Sequence, residues 1–420
     1  MKRTPLIICV LILCAAILCS CSGAAVPGED LMKDTKADEN LAFKFKSGKT
    51  ETPASYYNYK NYSTDFAFRL LCSMYQGSEN TASATAGLYS QLSILENATA
   101  NNSLKELKNL TGKNQDVSSL NECNAYFFSR LKALQSKKKG YYVDINNNLF
   151  FNKNVNAGQQ FLLKNADFFK HGIYRLDFSA EGSRDSINDF VASQTDDKIS
   201  EILKNPLPDN SDIISTGTSL MRDQWLGGYD REDTSTAKFK TADGEVDAEF
   251  MTSVEYYLKG KKCSGFEKSF RSTPCKFIAL LPNEDTTVYE FIKSLNYDEY
   301  QRILSSMSVF KTCEASLPKF SVKFEDKLND VLNKNGVYEL FNQKGDLKNL
   351  SLNFKGSVGE IVSSFSLDIN EAGVGVSKPK LSTVEKKKPD AKVRLNRPFV
   401  FLIVDNESYI PIFAGIVTKI

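Results

Sequence analysis

The chain has 420 residues, with 53 lysines and arginines against 51 aspartates and glutamates, a net charge of +2 and one histidine. So even a balance, with basic residues scattered except in one short run, argues against a nucleic-acid binder, which needs a concentrated basic face. Any Ser-His-Asp or Cys-His arrangement would have to use His171, a zinc site is disfavoured for the same reason, and there is neither a glycine-rich phosphate loop nor a dinucleotide fingerprint. The expectation is a protein that acts by binding rather than by turnover, not an enzyme, with no cofactor and no metal.

Lys2 and Arg3 precede an apolar run over residues 6–18, and the run closes on Leu18, Cys19, Ser20 and Cys21. Residues 1–20 thus read as a secretory signal, and Leu-x-Ser-Cys looks like a bacterial lipobox, which predicts a lipid on Cys21 and a protein held outside the cell on the membrane. A plain signal peptide or an uncleaved anchor is the other reading. Residues 21–55 are polar and mixed in charge, as expected of a flexible tether. Residues 56–420 show no linker and no repeat, so one large domain, a monomer, is expected. Five cysteines follow the signal, Cys72, Cys123, Cys263, Cys275 and Cys313, an odd set without metal-type spacing. Buried free thiols are the expected use, with a Cys263 to Cys275 bridge left open.

Along the domain, Ser63, Thr64 and Asp65 offer a cap to a helix carrying Phe66, Phe68, Leu70 and Leu71. A second helix is expected over residues 83–95. A third spans 103–111, with Leu104, Leu107 and Leu110 on one stripe and Gly112 closing it. Residues 141–152 alternate as a strand. Ile187, Phe190, Val191, Ile199, Ile202 and Leu203 then share one face of a helix ending before Pro206. Trp225, the only tryptophan, reads as core. Residues 275–284 form a continuous apolar strand, and 287–307 return to helical spacing. Residues 315–341 give a strand, a helix through Leu328 and Leu332, and a stop at Asn335 and Gly336. Residues 362–369 alternate as a strand, and the apolar runs 398–404 and 411–417 make a buried hairpin.

Between these last strands lies a polar stretch, residues 370–399, with a basic tip of Lys386, Lys387 and Lys388. A loop that long in a compact domain signals function or disorder. Its frame resembles the serpin family, in which an acidic residue and a Gly end one strand, an exposed bait loop follows, and Asn-Arg-Pro-Phe starts the return. Glu371 with Gly373, and Asn396, Arg397, Pro398 and Phe399, fill those places. Ile187, Asn188, Phe190 and Val191 with Thr195, Lys198 and Ile199 are similar to the family's helix across its main sheet. Trp225 and the group Leu317, Pro318, Lys319 and Phe320 fit as well, as does the closing PIFAGIV run, so that the resemblance covers about residues 60–420. It implies an α+β fold of three β-sheets and eight or nine helices, with the largest sheet central and a reactive-centre loop at about 371–395. Ser83, followed by Ala84 and Ala86, stands where the family has a Ser-Pro-x-Ser cluster under the sheet, and Ser363 stands where it has a His.

The resemblance also implies a mechanism: a serine or cysteine endopeptidase cuts the loop and is trapped as the loop's front half inserts into the sheet. Loop length puts the cut near Lys387 or Lys388, with Lys386 as neighbour, and a Lys there suits a trypsin-like pocket. Pro389 disfavours cleavage directly after Lys388. The hinge of Glu371, Gly373, Val374, Gly375 and Val376 continues into Lys378, Pro379 and Lys380, where inhibitory members carry alanine-rich residues. Alternation would send Val374, Val376, Lys378 and Lys380 inward, and burying ammonium groups costs several kcal/mol each. Pro379 would sit in a central strand without an amide hydrogen. A serpin-fold binder or protease substrate that does not trap is therefore the alternative.

Overall fold

The computed structural model describes residues 25–39, 51–133, 136–208, 210–343, 345–352, 354–377 and 389–420. The first half runs β1 (Glu29–Asp30), α1 (Tyr56–Met74), β2 (Thr81–Ser83), α2 (Thr85–Ala98), α3 (Asn101–Thr111), α4 (Val117–Ala133), β3 (Tyr142–Asn152), α5 (Gln159–Lys164), β4 (Gly172–Leu176), α6 (Ser183–Gln194) and β5 (Ile213–Gln224). The middle holds β6 (Thr234–Thr241), β7 (Gly244–Lys259), β8 (Cys263–Ser269), β9 (Cys275–Pro282), α7 (Val288–Ser294), α8 (Tyr297–Ser305), β10 (Thr312–Pro318), β11 (Phe320–Lys327) and α9 (Asn329–Lys334). The chain ends with β12 (Gly345–Asp346), β13 (Lys355–Gly356), β14 (Val358–Asn370), β15 (Gly373–Val374), β16 (Ala391–Arg394), β17 (Phe399–Asp405) and β18 (Pro411–Val417).

Nine helices and three sheets are thus present among the described residues. A seven-stranded sheet has the order β1-β4-β3-β5-β15-β14-β11. A nine-stranded sheet runs β16-β10-β7-β8-β9-β17-β18-β2, with β6 also on β7, and β12 pairs with β13. The sheet that carries the loop is therefore not the one with most strands. The sixteen-residue β7 pairs with β10 along one stretch and β8 along another, and so fuses what would be two sheets.

The seven-stranded sheet is covered on both faces. On the front, α6 and the chain after it contribute Ile187, Phe190, Val191, Ile199, Ile202 and Leu203 to one cluster with Phe150, Ile214, Leu220 and Val362 of the sheet. Behind it lies the main core, in which every residue of α2 is buried. Such two-sided burial is the reason that β14 carries apolar residues at successive positions, Ile361 with Val362, rather than in strict alternation.

Several expectations change. The first helix starts at Tyr56, so Ser63 lies inside it and donates to the Tyr59 carbonyl at 2.7 Å, while Asp65 accepts from the Tyr297 amide at 2.6 Å and caps α8 instead. The second helix starts at Thr85, and Ser83 ends β2, buried and paired with Ala414. Helix α6 stops at Gln194, because Asp196 and Asp197 both take positive φ. Ile199, Ile202 and Leu203 are buried all the same, from a non-helical segment that Asn188 ties down through both the amide and the carbonyl of Leu203. The tether expectation fails for residues 25–39. Pro27 is buried, β1 pairs with β4, Leu31 N donates to Ile173 O at 2.9 Å, and Glu29 pairs with Arg175. Finally, all five cysteines are free. Cys263 opens β8 and Cys275 opens β9, and those strands are antiparallel, so the two thiols lie at opposite ends of the pair.

Candidate functional site

The strands that flank the loop make its seat. β5 and β14 pair directly in parallel from Ile213 with Val358 to Ser219 with Phe365. Beyond that point they part, and β15 occupies the gap, with Gly373 opposite Gln224 and Asn370, and Val374 opposite Asp223 and Ile369. Gly373 and Val374 of the hinge are therefore already strand residues between β5 and β14. Val374 is fully buried.

Backbone conformation fixes both ends of this short strand. Gly373 has φ +148°, and a Cβ there would stand 2.0 Å from the Asp223 carbonyl, so only glycine fits. Gly375 has φ +62° and turns the chain out of the sheet, its amide donating to Asp368 O at 3.1 Å. The inward alternation expected of Val374 and Val376 is broken there: Val376 is only half-buried, and its carbonyl accepts from Asn370 Nδ2 at 2.8 Å.

Trp225 is core, as read, and it also clamps the hinge. Its Nε1 donates to Asn370 O at 2.8 Å and its backbone amide to Ala372 O at 3.1 Å. The indole stacks on Phe270 at 4.7 Å between centroids, and Lys268 Nζ sits 5.6 Å from the indole and 4.5 Å from the Tyr229 ring. Buried Lys268 pairs with Glu255 at 2.5 Å. At the surface of the turn Lys319 joins Glu371 at 3.0 Å and Glu249 at 3.3 Å.

Beneath the seam, Gln91 of α2 reaches both strands. Its Nε2 donates to Ser215 Oγ of β5 at 3.0 Å and, more weakly, to Val362 O of β14 at 3.5 Å. Gly217 makes room for it, since a Cβ there would meet Gln91 Oε1 at 2.5 Å. Sequence reasoning missed Gln91; the one signal was a long polar side chain within an otherwise small or apolar helical face. Ser363 is buried on β14 opposite Asp326 and Gly217.

The far end of the loop is also fixed. Asp390 exchanges two bonds with Thr312: its amide donates to Thr312 O at 3.0 Å, and its carboxylate accepts from the Thr312 amide at 2.9 Å. It leads into β16, which lies parallel to β10. The loop was expected to run to about residue 395, so β16 shortens it; the single buried side chain Val393 is too slight a pattern to be read as a strand. Arg397 donates to Pro282 O at 2.8 Å, and Phe399 packs on Phe320 at 5.7 Å. Lys378, Pro379, Lys380, Lys386, Lys387 and Lys388, and the lipidation candidate Cys21, lie outside the described residues.

His171 does not build a catalytic arrangement. Its Nε2 lies 3.1 Å from Ser90 Oγ, but the pair is buried behind the sheet with Asn147 Nδ2 at 3.3 Å, and no carboxylate among the described residues orients the ring. Burial first, and Lys132 second, push its pKa down to about 3, so the ring is neutral at pH 7. Among the described residues no cluster of His, Cys, Asp and Glu could hold a metal ion.

A seven-stranded sheet parted at one end, with Gly373 and Val374 wedged between β5 and β14, beside a nine-stranded sheet and nine helices among the described residues, defines a class of α+β fold. The particular family follows from comparison. The family model described as serpin (serine protease inhibitor) matches residues 61–420, and the chain belongs to the serpin family. Serpin A3-1 of Bos taurus is 24% identical over 366 residues, 85% of this chain and 88% of that one. An uncharacterized serpin-like protein of Methanosarcina acetivorans is 23% identical over 306 residues, 70% of this chain and 72% of its own. Among solved structures, the thermophilic serpin tengpin in its native state matches with a TM-score of 0.79 at 25% identity, over 93% of this chain and 99% of that chain. Its latent state matches with a TM-score of 0.72 at 24% identity, over 86% and 98%.

Proposed function

We propose that this serpin is a suicide-substrate inhibitor of a serine endopeptidase with trypsin-like specificity, cut after Lys387 or Lys386. The observation that carries this reading is β15. With Gly373 and Val374 already hydrogen-bonded between β5 and β14, extending the strand downward needs no new nucleation at the top of the sheet, only the parting of the seam below. A lysine before the cut gives the ammonium group that an anionic specificity pocket binds. Secretion and a lipid on Cys21, read from the first residues, would set this loop outside the membrane.

Gly375 supports the second reading, a binder or substrate that does not trap. It steers the chain out of the sheet after only two residues, and Lys378 and Pro379 follow. Incubation with trypsin separates the two. Trapping gives a covalent complex that survives denaturant, formed by the parent and lost in a Lys386→Ala, Lys387→Ala, Lys388→Ala variant. Cleavage without such a complex contradicts the inhibitor reading.

A further inference from the structure

The register of the first strand fixes where the chain enters the body. β1 runs antiparallel to β4, with Glu29 opposite Arg175 and Asp30 opposite Tyr174. Arg175 in turn stands opposite Phe151 of β3, and Phe151 opposite Ile213, the first residue of β5. The entry is therefore at the foot of the seven-stranded sheet, where β5 begins. The hinge is at its top, with Gly373 opposite Gln224, the last residue of β5. At about 3.3 Å per residue, β5 puts the two about 36 Å apart along the sheet.

The entry is also clamped. Pro27 is buried, Gly28 has φ +85°, and a Cβ on it would stand 2.3 Å from the Arg175 carbonyl oxygen. Glu29 accepts from Arg175 Nε at 2.9 Å. Cys21 precedes Ala25, where the described chain begins, by four residues, a reach of at most about 14 Å at about 3.5 Å per residue. A lipid on Cys21 would thus hang on a short leash and not on the whole of residues 21–55.

The same pole exposes apolar side chains. Val26 is 45% exposed and Leu352 88%. Leu352 lies between Leu350, whose carbonyl accepts from the Gly158 amide at 2.7 Å past the foot of β3, and Ser357, whose carbonyl accepts from the amides of Asp212 and Ile213 at 3.1 and 3.2 Å at the foot of β5. Lys355, in the same stretch, is exposed.

With the lipid on Cys21 taken from the proposed function, we propose that the partner of this pole is the surface of a phospholipid bilayer. Val26 and Leu352 dip into the boundary of headgroups and acyl chains, and Lys355 stays among the headgroups. The bait loop is then held at the pole away from the membrane, facing outward. A peptidase arriving from the medium meets it there, whereas one confined to the membrane surface does not reach it.

The full-length protein, purified with its lipid, is added to preformed vesicles of phosphatidylethanolamine and phosphatidylglycerol whose headgroups carry an energy-transfer acceptor. A donor dye is attached in Leu352→Cys or in Lys392→Cys, the latter in β16 just past the loop, each with Cys72→Ser so that the half-exposed native thiol does not react. The donor at position 352 should lose most of its emission, at least about threefold more than the donor at position 392. Equal loss at the two positions, or greater loss at 392, overturns the orientation. The mass of the N-terminal peptide is read on the same samples: absence of a lipid on Cys21 overturns the lipid reading and the orientation with it, whereas a lipid present with the wrong order of loss overturns the orientation alone.

Discussion

At the scale of single residues, two positions have consequences that their surroundings fix. Glu96 is fully buried in α2 and accepts from the Thr111 hydroxyl; burial raises its pKa to about 7. The folded state therefore binds this proton more tightly than the unfolded one, and stability falls as pH rises from about 4.5 to about 7. Glu96→Gln removes the titration. Its stability advantage over the parent should be small near pH 4.5 and grow to about 3 kcal/mol above pH 7, read from denaturant melts at a series of pH values. An advantage independent of pH would mean that Glu96 is not the group responsible. Gly373 is the second position. Gly373→Ala places a methyl against the Asp223 carbonyl in a backbone conformation that L residues avoid. It should unseat β15 at a cost of about 1–3 kcal/mol and expose Val374, seen as faster amide exchange at Val374 but not at Phe365.

At the scale of elements, the seam between β5 and β14 is what the loop would have to open under the inhibitor reading proposed above, and Gln91 of α2 fastens it from below. Gln91→Ala removes bonds to both strands while leaving the helix its propensity. The native state should lose about 1–3 kcal/mol, and spontaneous loop insertion on mild heating should quicken, followed by native gel migration. Slower insertion, or none of this loss, would remove Gln91 from that role. The same region marks the limit of what the sequence discloses. The stripe of α3 was legible because it buries one continuous face, the hairpin at the chain's end because strands buried at every position read as unbroken apolar runs, and residues 362–369 from the alternation that follows Phe365, although β14 is buried on both faces before it. Helix α6 was legible in its apolar residues but not its end, since Ile199, Ile202 and Leu203 keep helical spacing while Asp196 and Asp197 break the helix. β1 and β16 were invisible, because two or four residues held by backbone bonds and one buried side chain leave no period to detect. The hinge could be located by Glu371 and Gly373, whereas the β15 insertion could not, because it is a property of the gap and not of the two residues that fill it.

At the scale of the whole molecule, the fold holds a sheet with one unused place. Above Ser219 and Phe365 that place is filled by the loop's own first residues, and below them β5 and β14 close on each other. Chain segments are secured on both sides of the loop, by Trp225 before it and by Asp390 on Thr312 after it, so cutting between them is the event that would free the front half to move. The central claim is that the freed half becomes a further strand along the full seam. The direct measurement is the thermal transition of the protein before and after its loop is nicked by a limiting amount of trypsin, with the cut site verified by mass. A large upward shift of the transition on cleavage is predicted, since the freed half would extend β15 into a strand paired with β5 and β14 along the seam. An unchanged or lowered transition, with the loop cut and the rest of the chain intact, would contradict the account.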